Sequence, residues 1–135
     1  MRPRNVKAPI AAKPITIVHP ALLIRINQLY RPGMSAQELY EATRGTWVLG
    51  ERRNRVTLAL PVFNGVVQEV YVVDDWHPAG TTPYAYRLVR DIAVPGRWEF
   101  TGRPAPAETR SKYLYGSVHA YFRHGQQNPI AYVNA

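Results

Sequence analysis

The chain contains no cysteine. That absence excludes disulfides, thiolate zinc sites, iron–sulfur clusters and a cysteine nucleophile together. No apolar run approaches the roughly 20 residues of a membrane-crossing helix, so no membrane partner is expected. Charged residues make up only 19% of the 135 positions, against 46% hydrophobic ones. This balance argues against wholesale disorder and for a single domain with a sizeable core. Acids are scarce too: nine Asp and Glu stand against seventeen Lys and Arg, a net charge of +8. The opening eighteen residues are basic but broken by Pro3, Pro9 and Pro14. They make a poor secretory signal, and a cytoplasmic location is expected.

Lysine is also rare, and fourteen of the seventeen cations are arginine. A guanidinium is a planar fork that matches phosphate and base edges and stacks on aromatic rings. A nucleic-acid partner, RNA or DNA, is therefore the first expectation. Coding from a GC-rich genome would also raise Arg, and with it the twelve prolines. Residues 1–18 read as a basic, proline-broken flexible tail carrying Arg2, Arg4, Lys7 and Lys13 without an acid. Residues 19–135 read as one α+β domain.

Within that domain Leu22 to Ile26 reads as a short strand or a helical turn. Ser35-Ala36-Gln37-Glu38 has the pattern of a capping box, opening a helix over Ala36–Arg44 that stops at Gly45. From Arg55 the period becomes two, and Asn64-Gly65 marks a hairpin. Regular pairing across it sets Val62 opposite Val67, Leu60 opposite Glu69, Leu58 opposite Tyr71 and Val56 opposite Val73, all on one face. Glu69 is then either an acid among aliphatics or, if Pro61 introduces a bulge, a residue turned outward. Asp74 to Gly80 leaves the strand into a long loop, and Leu88 to Val94 is a strand or irregular edge. Arg97–Thr101 forms a strand, Pro104–Tyr113 a second helix and Pro129–Val133 a closing strand. With no βαβ pattern, a curved antiparallel sheet or small barrel with two short helices is expected.

Few residues offer catalysis. Asp74 and Asp75 are adjacent and point to opposite faces of a strand. His119 and His124 are five apart, unlike a helical metal pair. No phosphate loop, dinucleotide fingerprint or nucleophile elbow occurs. No catalytic residue, metal or cofactor is expected. Arginine beside aromatic residues is frequent: Arg44 and Trp47 precede Arg52, Arg53 and Arg55, and Trp76 and Trp98 follow Asp75 and Arg97. An indole beside guanidinium groups stacks a base and holds its phosphate. The expected nucleic-acid-binding set is Arg44, Trp47, Arg52, Arg53, Arg55, Trp76, Gln127 and Asn128. Glu69 and Asp75 are candidate pocket acids.

Leu39–Trp47, Gly65–Tyr71, Arg97–Phe100 and Gly125–Ile130 together resemble a family of small bacterial proteins without an assigned reaction, over about residues 20–134. The order of strand, helix, Gly-x-Trp strand, hairpin, Trp loop and aromatic strand is similar to the PUA-like barrels, which include EVE, ASCH and YTH modules. That resemblance implies a β-barrel that binds RNA or modified bases, sometimes in an aromatic cage. The sequence thus leads to a non-catalytic nucleic-acid-binding module that reads a flipped or modified base. The alternatives are a protein-interaction or inhibitor module and, third, a nucleic-acid-modifying enzyme using Glu69, Asp75 and His77.

Overall fold

The computed structural model describes residues 12–135. The first eleven positions of the expected tail lie outside the described residues. Those that follow are tied to the domain: Pro14 bridges Ser117, the Ser117 amide donates to the Lys13 carbonyl, and Ile17 is buried.

The elements run β1 (Ala21–Arg25), α1 (Ala36–Arg44), β2 (Gly45–Trp47), β3 (Leu58–Phe63), β4 (Val66–Val67), β5 (Tyr71–Pro78), α2 (Val89–Ile92), β6 (Trp98–Pro104), α3 (Ala107–Tyr113) and β7 (Ile130–Val133). Short 3-10 turns add Glu51–Arg55 and His119–Tyr121. The strands form one curved mixed sheet, a half-barrel, in the order β2-β6-β5-β3-β1-β7, with β4 paired to β3. The α+β class is as expected. The absence of a βαβ pattern is corrected: β1 and β3 pair in parallel, joined by a crossover through α1, as parallel neighbours require.

β1 lies between β3 and β7 and is buried on both sides, which is why it reads as a continuous apolar run rather than an alternation. Leu23 faces a core with Leu58, Leu60, Val62, Val67, Tyr113 and Val118. Leu22 and Ile24 face a second core with Ala59, Tyr71 and Phe100, against which Tyr40 and Trp47 pack. The first core is closed by α3 and the following turn, the second by α1. Ser35 caps α1 as its sequence dictates: its Oγ accepts from the Glu38 amide at 3.1 Å, and the Glu38 carboxylate accepts from the Ser35 amide at 3.0 Å.

Asn64 and Gly65 both take positive φ, 49° and 78°, the geometry of a two-residue hairpin. Val62 pairs with Val67 as the pattern predicts. Beyond this the register slips by one residue, and Leu58 meets Val72 while Ala59 meets Tyr71. The expected Leu58–Tyr71 pair is thereby corrected. One extra residue on the returning chain rotates Tyr71 into the core opposite to that of Leu58. Glu69 leaves the aliphatic face and pairs with Arg110 of α3, Nε to Oε1 at 2.6 Å.

Two further expectations change. Asp74 to Pro78 continues β5 along β6, with a register shift between Val73 and Asp75, so the loop begins only after Pro78. Leu88 to Val94 holds the short helix α2 rather than a strand, making three α-helices among the described residues where two were expected.

Candidate functional site

Curvature brings the free edges of the half-barrel toward each other. The segment after β2 lies across the gap and against β7. Arg52 donates through Nε and Nη2 to the Ala135 carbonyl, at 3.1 and 2.8 Å, and its guanidinium lies 4.3 Å from the Tyr132 ring centre. Arg53 covers Trp98 of β6 at 3.5 Å.

Trp47 and Gln127 of the expected set come together at this seam. With Arg25, Asn27, Gln28, Leu29 and Pro129 they line a cavity of about 380 Å³. Trp47 is half-buried, and its Nε1 donates to the Thr43 carbonyl at 2.7 Å. The indole is thus locked in place by α1, with its polar atom already used. Arg52 and Asn128 line a second cleft with Tyr132 and Arg123. Asn128 also holds its own turn, its Oδ1 accepting from the Ile130 amide at 3.0 Å. Arg55 is exposed at the end of the 3-10 turn and lines none of these clefts.

Trp76, Arg53 and Asp75 lie in a separate cleft of about 250 Å³ with Trp98, Asn54 and Asp74. Trp76 packs edge-on against Phe100, centroids 5.6 Å apart. Among the described residues its buried Nε1 has no acceptor, and neither has the buried Arg53 Nε. Asp74 pairs with Arg103, while Asp75 is exposed at the rim. Two carboxylates in this cleft oppose a phosphate. Trp47 and Trp76 therefore belong to different clefts, not to one cage.

Arg44 is buried, with 2% of its surface exposed. Its Nε donates to the Phe100 carbonyl at 2.9 Å and its Nη1 to the Pro83 carbonyl at 2.8 Å. Nη2 reaches the Thr82 hydroxyl. The Glu99 carboxylate stands 3.9 Å away, itself fully buried. Glu99 accepts from the Gly80 and Thr82 amides at 2.6 and 2.9 Å and from the Tyr84 hydroxyl at 3.0 Å. Glu41, also buried, accepts from the amides of Ala85, Tyr86 and Arg87. Burial opposes the charge on both acids, but hydrogen bonds outweigh it and hold each carboxyl below the ordinary value of 4.5. On Glu41 these come chiefly from the Gln37 side-chain amide with the loop amides, and on Glu99 from the Thr82 hydroxyl with the Gly80, Tyr84 and Thr82 donors. The group built by Arg44, Glu41 and Glu99 anchors the 79–88 loop. Its polar atoms are turned on protein partners.

Reading the sequence missed the other polar residues of the seam face. Arg25 falls inside the expected Leu22–Ile26 segment, and Asn27 and Gln28 carry no sequence expectation. His119 and His124 were weighed only as a metal pair. Pattern alone carried no signal for them, because their proximity depends on where β1, the β3–β4 hairpin and the 119–125 segment meet. Among the described residues no cluster of three or more His, Asp or Glu side chains forms a metal site, and no helix is long and apolar enough to cross a membrane. No family model, curated protein or solved structure matches this chain.

Proposed function

We propose that the protein is a non-catalytic nucleic-acid-binding module that takes an unstacked base into the seam cleft. Its kinship with PUA-like readers and with the small bacterial proteins it resembles is part of the same proposal. The supporting observation is the composition of that cleft: one indole, Leu29 and Pro129 as apolar walls, amides from Asn27, Gln28 and Gln127, the Arg25 guanidinium, and no carboxylate. Its volume falls in the range of small-ligand sites. A rigid aromatic face with amide donors and acceptors beside it suits a base, which offers a π-face and a hydrogen-bonding edge. A phosphate backbone entering this cleft meets no carboxylate among its lining residues.

The test is a fluorescence-anisotropy titration of single-stranded RNA and DNA oligomers at two salt concentrations. Trp47→Ala should weaken binding about tenfold, in line with one lost stacking contact, and leave the domain folded. A folded Trp47→Ala protein with wild-type affinity removes the cleft from the reading.

A second reading, a protein-docking module, has its own support. Tyr86, Leu88 and Val89 are consecutive or nearly so on the 79–89 segment and are 61%, 53% and 69% exposed. Such a group suits the apolar centre of a protein interface. A stable pulled-down partner lost in a Leu88→Asp, Val89→Asp double variant, together with no oligomer binding at low salt, favours this reading over the first.

A further inference from the structure

A larger cleft of about 560 Å³ adjoins the seam cleft and shares Arg25 and Asn27 with it as a common wall. It lies between the tip of the β3–β4 hairpin and the turn after Phe122. His119, Arg123, His124 and Asn64 complete its polar lining, and no carboxylate lines it. Arg25 is fixed there: its guanidinium lies 4.8 Å from the Phe122 ring centre, and Nη2 donates to the carbonyls of Gln126 and Asn128 at 2.6 and 2.7 Å. The hairpin tip is fixed as well, since the Asn64 amide donates to Asn27 Oδ1. Arg123 is exposed, and its guanidinium has no hydrogen-bond or ion-pair partner among the described residues.

We propose that this cleft is a phosphate subsite, in which Arg123, His119, His124 and the free edge of Arg25 receive a phosphoryl group next to the base held by Trp47. The proposal rests on the base-binding reading for its ligand. The chemistry is that of an anion site: guanidinium and imidazole N–H donors and side-chain amides converge, without an opposing acid, in a concave surface that sharpens their field. A divalent cation is disfavoured there, since hard cations take carboxylate and carbonyl oxygens. A strand laid over both clefts has its base beside the indole and its backbone against the histidines. Arg25, in the dividing wall, faces both.

Two arms keep this proposal separate from the base reading. In the first, the imidazole signals of His119 and His124 are followed by NMR while inorganic phosphate is added at constant pH. Saturable shifts at both are expected in the wild-type protein and their loss in Arg123→Ala. In the second, a ten-nucleotide single strand is titrated at two salt concentrations. Arg123→Ala should weaken binding about tenfold at low salt and reduce the slope of log affinity against log salt by about 0.7. Trp47→Ala should weaken binding with the slope unchanged. Arg123 is exposed and its guanidinium has no protein partner among the described residues, so a melting temperature equal to wild type is expected of its variant. Unshifted imidazoles, with Arg123→Ala binding the strand like wild type, overturn the phosphate subsite whatever Trp47→Ala does. Loss on Arg123→Ala with unchanged Trp47→Ala affinity keeps the subsite and removes the base pocket.

Discussion

Arg52 and Arg53, adjacent on one 3-10 turn, lie over rings from the two sides of the sheet: Arg52 over Tyr132 of the edge strand β7, and Arg53 over Trp98 of β6, the neighbour of the other edge strand β2. A pair of neighbouring side chains thereby closes the seam of the half-barrel. Both arginines, which the sequence suggests for phosphate contact, lie over the domain's own aromatic rings, and Arg52 remains exposed. Their planar cations are suited to this, since guanidinium is weakly hydrated and lies flat on a ring.

Removing the Arg53 clasp should loosen the seam. Arg53→Ala is expected to lower the melting temperature by about 4 °C, for a contact of about 1 kcal/mol between a half-buried cation and an indole. Arg53→Lys should not restore it, because an ammonium lacks the planar face. Thermal melts of the three proteins, followed by tryptophan fluorescence, check this.

Acid should destabilise the domain through its buried carboxylates. Glu41 and Glu99 have folded-state pKa values below their ordinary 4.5. Their contribution is fully present above 4.5 and is lost as pH falls through the lower folded values. Melting temperature should therefore be level from pH 7 to 5 and fall steeply below about pH 4. Glu99→Gln should cost about 3 kcal/mol at pH 7, leaving the buried Arg44 without its counter-charge. Its melting curve should then depend less on acid than that of the wild type.

Gly102 leaves no room for a side chain. A Cβ there would lie 1.9 Å from the Val72 carbonyl oxygen, a backbone atom of the paired strand β5. Gly102→Ala is expected to destabilise by about 3 kcal/mol, the upper end for overpacking. Chemical denaturation at constant slope measures it, and a wild-type midpoint contradicts the close approach.

Trp76 should behave differently from Trp47. It packs on Phe100 in the second core, so Trp76→Ala should cost about 3 kcal/mol of stability. Its folded fraction should still bind oligomers with wild-type affinity, because the seam cleft does not include it. A loss of affinity on a par with that of Trp47→Ala would place both indoles in one binding surface.

Local chemistry was legible in the chain wherever neighbours in sequence decide the outcome. Ser35 and Glu38 start α1 and Asn64-Gly65 turn the hairpin, because a cap and a two-residue turn are settled within four residues. The apolar run of β1 marks a buried segment but does not by itself separate a strand from a helical turn. Tertiary structure alone decided the rest. The slipped register that carries Tyr71 to the other core, and Glu69 to Arg110, depends on an extra residue whose placement only cross-strand packing selects. The parallel pairing of β1 with β3 has no local signature, since it joins chains separated by a crossover. The burial of Arg44 is a matter of long-range partners, Phe100, Pro83 and Glu99, which composition cannot reveal. For the same reason Arg25, His119 and Arg123 meet only in the fold. A sequence specifies which residues can carry charge or stack; curvature of the sheet decides which of them share a cleft.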